Sequence, residues 1–203
     1  MSRLRTTALC LPLLLAACAG LRPPPAANAE LAWGMHRAAL AALESWQLDG
    51  RVAVAAGDEG FNGRIGWRQE ADAIDMRLQG PFGVGGARLS GNAAALLIET
   101  DDGRRYYTDD PVVELADHLR WPLPIDRLRF WVRGIPEPGQ PYEHALDSHG
   151  RLRWLEQDGW RVTYDGYQTS GALALPRRVT FERETLRVRI VIERWRLTQD
   201  ADR

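Results

Sequence analysis

Lysine is missing altogether: the 26 basic residues of this 203-residue chain are all arginines, set against 27 acids. A chain with no primary-amine side chain forms no Schiff base and has no phosphate-loop lysine, so both of those enzyme classes are excluded. Cysteine is scarce, with only Cys10 and Cys18, which excludes a disulfide framework and a cysteine-built metal site. Charge of one sign is not in excess either. A formal net charge of -1 with both signs interspersed gives no field that gathers nucleic acid, and no nucleic-acid partner is expected. Long apolar runs are also lacking. The run Ala8-Leu-Cys-Leu-Pro-Leu-Leu-Leu15 spans only about 12 Å as a helix, against the roughly 30 Å of a hydrocarbon core.

Catalytic signatures are equally thin. The chain has no G-x-S-x-G elbow and no H-E-x-x-H, and its histidines, His36, His118, His144 and His149, are scattered. The glycine-rich stretch Gly80-Pro-Phe-Gly-Val-Gly-Gly86 fails as a dinucleotide fingerprint, because Arg88 stands where a third glycine is needed and a strand follows instead of a helix. Neither an enzyme nor a cofactor nor a metal site is expected.

What is present begins with an address. Arg3 and Arg5 precede the apolar run, the order of a signal peptide. Leu15-Ala-Ala-Cys18 then looks like the lipobox of a bacterial lipoprotein. That resemblance implies removal of residues 1–17 and acylation of Cys18. It leaves 186 residues at a formal charge of -3, because Arg3 and Arg5 are lost and no acid is. Ala19 is not the inner-membrane retention aspartate, so the expected place is the periplasmic face of the outer membrane, held by lipid. Residues 18–29, with Pro23-Pro-Pro25, read as a tether, and residues 30–203 as one domain.

A composition of 45% hydrophobic and 26% charged residues suits a folded domain. Leu31, Met35, Ala39, Leu43 and Trp46 fall at near-helical spacing and predict an amphipathic helix over residues 30–45. The period then changes to two. Leu48, Val52 and Val54, then Ile65 and Trp67, then Met76 and Leu78 alternate with polar residues, and the pattern continues to Tyr107 as a meander of about six strands. Asp109-Asp-Pro111 predicts a short helix, and Ile125, Leu128, Trp131 and Val132 stripe a second. Strands resume at 151–157, 160–165, 178–182 and 186–197. The fold class expected is mainly β (α+β): about ten antiparallel strands in a strongly curved sheet, its concave face covered by helices. The arginines take the outward strand positions, where they keep the sheet soluble.

Gly80-Pro81-Phe82-Gly83-Val84 puts two apolar side chains among turn residues at a strand connection. From the residues alone, Phe82 either protrudes or folds back beneath the sheet.

Trp46-Gln-Leu-Asp-Gly-Arg-Val-Ala53, Gly63-Arg-Ile-Gly-Trp-Arg-Gln69, Gly80-Pro-Phe-Gly83, Leu175-Pro-Arg-Arg-Val179 and Leu186-Arg-Val-Arg-Ile-Val-Ile-Glu-Arg-Trp195, together with the lipobox, resemble the outer-membrane lipoprotein receptor family LolB. The resemblance implies an open, incomplete antiparallel β-barrel of about ten or eleven strands, with the N-terminal helix and short helices as a lid over an apolar cavity. It implies a receptor that accepts acylated lipoprotein cargo from a periplasmic carrier and inserts it in the inner leaflet of the outer membrane, as a monomer. The family's protruding membrane-insertion loop, often tipped by leucine, maps to Pro81, Phe82, Gly83 and Val84. Candidate walls for acyl chains are Val52, Val54, Ile65, Trp67, Met76, Leu78, Leu89, Ile98, Ile190 and Ile192, with Leu128 and Trp131 from a helix. Periodicity marks these as buried; it leaves open whether the interior is hollow or filled. Two other readings stand beside the receptor: an assembly lipoprotein with a solid β core, and a lipoprotein that binds a small hydrophobic ligand.

Overall fold

The computed structural model describes residues 25–92, 94–110, 113 and 123–197. The expected signal peptide, lipobox and Cys18 lie outside the described residues, as does nearly all of the helix expected from Asp109-Asp-Pro111.

Helix α1 (Pro25–Ala41) leads into six strands, β1 (Ser45–Ala56), β2 (Glu59–Glu70), β3 (Ala73–Gln79), β4 (Gly86–Gly91), β5 (Leu96–Thr100) and β6 (Arg105–Thr108). Helix α2 (Ile125–Trp131) follows, and then β7 (Glu143–Leu146), β8 (Leu152–Gln157) and β9 (Trp160–Tyr164). A hairpin, β10 (Tyr167–Ser170) and β11 (Leu173–Pro176), stands apart, and β12 (Arg178–Arg183) and β13 (Leu186–Leu197) end the described chain. Eleven strands form one antiparallel sheet in the order β6-β5-β4-β3-β2-β1-β13-β12-β9-β8-β7. Its edges, β6 and β7, do not pair, so the barrel stays open.

The two long strands at the centre carry a bulge. Asp49 pairs with Arg194 but Gly50 with Ile192, so Glu193 is the extra residue on β13. A bulge adds local twist and bends the strand, which curls the sheet. It also moves the buried set on β13: Leu186, Val188, Ile190 and Ile192 point inward, then Trp195 and Leu197 do. Both sets belong to one core, in which Trp46 meets Trp67 and Trp195 at centroid distances of 5.0 and 5.4 Å.

Helix α1 departs from expectation in extent and in face. It starts at Pro25, inside the stretch read as tether, because proline at a first helical position has its φ already set and no N–H to leave unpaired. Most of the expected inward stripe points to solvent instead: Leu31 is 69% and Met35 70% exposed, and Ala39 is exposed as well, while Leu43, past the end of the helix, is half-buried against the core. Ala29, Trp33 and Leu40 are buried in its place, and Trp46 belongs to β1. Among the described residues no helix is long and apolar enough to cross a membrane.

Candidate functional site

The concave face of the sheet is closed by α2. Ile125 and Leu128 face the strands, and between helix and sheet lies a wholly apolar cavity of about 40 Å³. Nine of the twelve residues expected as walls surround it: Val52, Val54, Ile65, Trp67, Met76, Leu78, Leu89, Leu128 and Ile190. Leu123, Ile125, Phe181 and Val188 complete the lining. Phe181 and Val188 were legible as alternating strand positions, whereas Leu123 sits between two prolines where no period operates.

Three expected wall residues are buried elsewhere. Trp131 is drawn off the cavity because its indole Nε1 donates to Gln157 Oε1 at 2.8 Å. Ile98 lies on β5, two strands from the β2–β3 centre, and packs beside its cross-strand partner Leu89. Ile192 sits at the bulge, its carbonyl accepting from Gln168 Nε2 of the separate hairpin at 3.0 Å.

A void of this size holds a few waters at most, and an apolar one stays dry. The interior is therefore apolar and nearly filled in this form. Helix α2 is fastened unequally. Its C-terminal end is pinned by the Trp131–Gln157 bond and by Tyr164, whose hydroxyl donates to the Trp131 carbonyl at 2.9 Å. Gly134, at φ +85°, reverses the chain there. Just beyond, Arg133 is buried and donates to the carbonyls of Arg129, Leu40 and Leu43 at 2.9, 2.8 and 2.7 Å. Burial, with the nearby charge of Arg129, lowers its guanidinium pKa to about 10, which still leaves it charged at neutral pH. The first turn rests instead on the apolar contacts of Ile125 and Leu128 and on Arg127, which pairs with exposed Asp158 and with the half-buried Glu137.

The β3–β4 connection is the second element of the site. Gly80 N–H donates to the Gly85 carbonyl at 2.6 Å, and Val84 N–H to the Pro81 carbonyl at 3.1 Å, so the loop is clamped on itself and not on the sheet. At Gly80 a Cβ would lie 2.1 Å from the Val84 carbonyl oxygen, so only glycine closes this loop. Phe82 holds a left-handed φ of 58°, a conformation that costs a non-glycine residue about 1–2 kcal/mol. The result is full exposure: Phe82 is 103% and Val84 76% accessible, and Pro81 and Gly83 are exposed beside them. Of the two readings of Phe82, the protruding one holds. An apolar side chain held in water by a strained, self-clamped backbone gains roughly 2 kcal/mol on entering an apolar phase.

No group of His, Cys, Asp and Glu among the described residues is arranged to hold a metal ion. His144 is half-buried beside Glu30, and His149 is exposed on the Asp147–Gly150 turn.

The chain is similar to known proteins over most of its length. The family model described as "Outer membrane lipoprotein LolB" matches residues 44–195. Proteins named "Outer-membrane lipoprotein LolB" from Stutzerimonas stutzeri (strain A1501) and Pseudomonas syringae pv. syringae (strain B728a) are 37% and 38% identical over 193 and 185 residues. The first match covers 94% of both chains and the second 90% of both. Among solved structures, a LolA superfamily protein from Nitrosomonas europaea superposes with a TM-score of 0.54 at 12% identity, covering 85% of this chain and 94% of that one. A DUF1329 family protein from Desulfovibrio piger does so at 0.54 and 7% identity, covering 84% and 93%. At such identities the likeness is one of fold.

Proposed function

The chain belongs to the LolB family of outer-membrane lipoproteins, and on that premise we propose that it takes acylated lipoproteins from a periplasmic carrier and inserts them into the inner leaflet of the outer membrane. The protein is an outer-membrane lipoprotein receptor at the periplasmic face, and its work is transfer, not catalysis. Cys18 is the residue that carries its own anchor.

The observation that carries the finer reading is Phe82, fully exposed at the tip of a loop clamped on itself. At about 0.8 kcal/mol per methylene, acyl chains cannot cross the aqueous periplasm uncovered. Each station must therefore offer an apolar interior, and the last must also touch the bilayer. The apolar space under α2 supplies the first requirement and the Phe82 loop the second. Cargo enters by lifting the first turn of α2, where Ile125 and Leu128 give up contacts with the sheet for contacts with the acyl chains. Transfer from the carrier then needs only that this exchange be more favourable here than in the carrier.

The test is co-purification. The complete mature chain with Cys18→Ala is mixed with a carrier loaded with triacylated lipoprotein, recovered, and analysed by mass spectrometry. Lipoprotein bound one to one supports the reading. Recovery of the chain alone supports the assembly lipoprotein with a solid core, and a small lipid in place of lipoprotein supports the small-ligand carrier.

A further inference from the structure

On the outer face of the sheet the Phe82 loop overhangs a concavity of about 620 Å³ set against β1, β2 and β13. Three arginines line it, Arg51, Arg64 and Arg189, and no carboxylate does. Elsewhere on this face some outward arginines are neutralised where they stand, Arg88 by Asp75 and Arg105 by Glu99, each at 2.9 Å, while Arg77 and Arg194 stand singly without an ion pair among the described residues. Here Arg51 pairs at 2.9 Å with Glu193, which is not among the lining residues, while the side chains of Arg64 and Arg189 have no ion pair or hydrogen bond among the described residues.

Register makes the concentration of charge starker. Arg51 stands directly opposite Arg64 across β1 and β2, and like charges so placed repel. Arg189 stands opposite Ala53, whose small side chain leaves the ground between the cations low. A bare floor ringed by cations fits a compact anion, and guanidinium groups match the geometry of phosphate oxygens.

The wall above that floor is Pro81-Phe82-Gly83. Cationic floor and apolar tip share one rim, in the order in which a bilayer presents phosphate and then hydrocarbon. We propose that Arg64 and Arg189, with Arg51, bind the phosphates of anionic phospholipids at the membrane surface as Phe82 enters the acyl layer. The proposal rests on the reading of the Phe82 loop as the membrane-entering element, and adds to it a preference for anionic lipid. Near such a surface each arginine raises binding by about fivefold, so loss of two lowers it by roughly 25-fold.

The experiment is flotation of the complete mature chain carrying Cys18→Ala with vesicles of phosphatidylcholine containing from none to roughly 40% phosphatidylglycerol. Binding is expected to rise with phosphatidylglycerol, to lose that rise in the Arg64→Gln/Arg189→Gln double variant, and to regain most of it in Arg64→Lys/Arg189→Lys. These positions lie on an exposed strand face, and circular dichroism checks that the variants fold. A double Gln variant that keeps the full phosphatidylglycerol dependence overturns the proposal. Suppression of binding by inorganic phosphate beyond that by chloride at equal ionic strength is expected, because the same guanidinium groups take either anion; binding of inorganic phosphate without any dependence of vesicle binding on phosphatidylglycerol overturns the proposal and assigns the concavity to a free anion. Unchanged vesicle binding joined to failed cargo receipt in the double variant also overturns it, and assigns the arginines to the carrier. Phe82→Ser separates the two readings, because undiminished binding of that variant to both vesicle types contradicts the loop reading itself.

Discussion

Arg133, just past the end of α2, donates through Nη1 to the carbonyl of Leu40 at the end of α1, at 2.8 Å. The same nitrogen reaches the Leu43 carbonyl at 2.7 Å, so one buried cation gives the Leu40 carbonyl a second donor beside Leu43 N–H, supplies the Leu43 carbonyl just past α1, and ties the two helices at one point. Arg133→Ala leaves those carbonyls and a cavity behind. It is expected to cost about 3 kcal/mol in denaturant unfolding. Arg133→Lys is expected to recover only part of this, because an ammonium does not reproduce the guanidinium fork.

The far side of α1 is sensitive to pH. His36 sits against Tyr167 with ring centroids 6.5 Å apart, and its Nε2 is buried without a hydrogen-bond partner. Burial first, and then the charge of Arg151, hold its imidazole below the ordinary value of 6.5, with Asp147 pulling the other way. With the folded pKa below the unfolded one, the unfolded chain binds the proton more readily. Stability is therefore full above 6.5 and falls as pH drops through the folded value. Thermal melts are expected to show Tm declining below this point, and His36→Gln is expected to flatten that decline. An equal decline in the variant would remove His36 as its source.

Leu128 spans the cavity from α2. Leu128→Ala is expected to destabilise the fold by about 2–4 kcal/mol in denaturant unfolding. It is also expected to enlarge the dry space beneath the helix, so that binding of an apolar fluorescent probe rises. Reduced stability with no gain in probe binding would mean that the site collapses and that α2 does not act as a movable cover.

The strands were legible because one face is buried and the other wet. Val52, Val54, Ile65, Trp67, Met76, Leu78 and Leu89 alternate with polar residues, and all line the cavity. The strands missed, β7, β10 and β11, are each only four residues long, too short for a period to declare itself; β6, of the same length, was reached only as the continuation of the meander before it. Helix α1 misled for a different reason. Apolar residues lie on both of its sides, Leu31 and Met35 on one and Trp33 and Leu40 on the other, and local spacing does not choose between them. The choice is tertiary: Trp33 packs against His144 at 5.9 Å, and the C-terminal end is fixed by Arg133. Arg133 itself gave no signal, since an arginine after a helix reads as surface until its carbonyl partners are in place. The loop at Phe82 was visible as an oddity of composition. Its exposure comes from the Gly80–Gly85 clamp, which no periodicity encodes.

The most direct measurement compares Phe82→Glu with the parent chain in a two-stage transfer of a labelled lipoprotein, first from the carrier to this protein and then from this protein to liposomes. The side chain touches no core, so the fold and the first stage are expected to be unchanged, while the second falls at least tenfold, since about 2 kcal/mol of apolar transfer is replaced by the cost of burying a carboxylate. Delivery to liposomes at the parent rate would contradict the account.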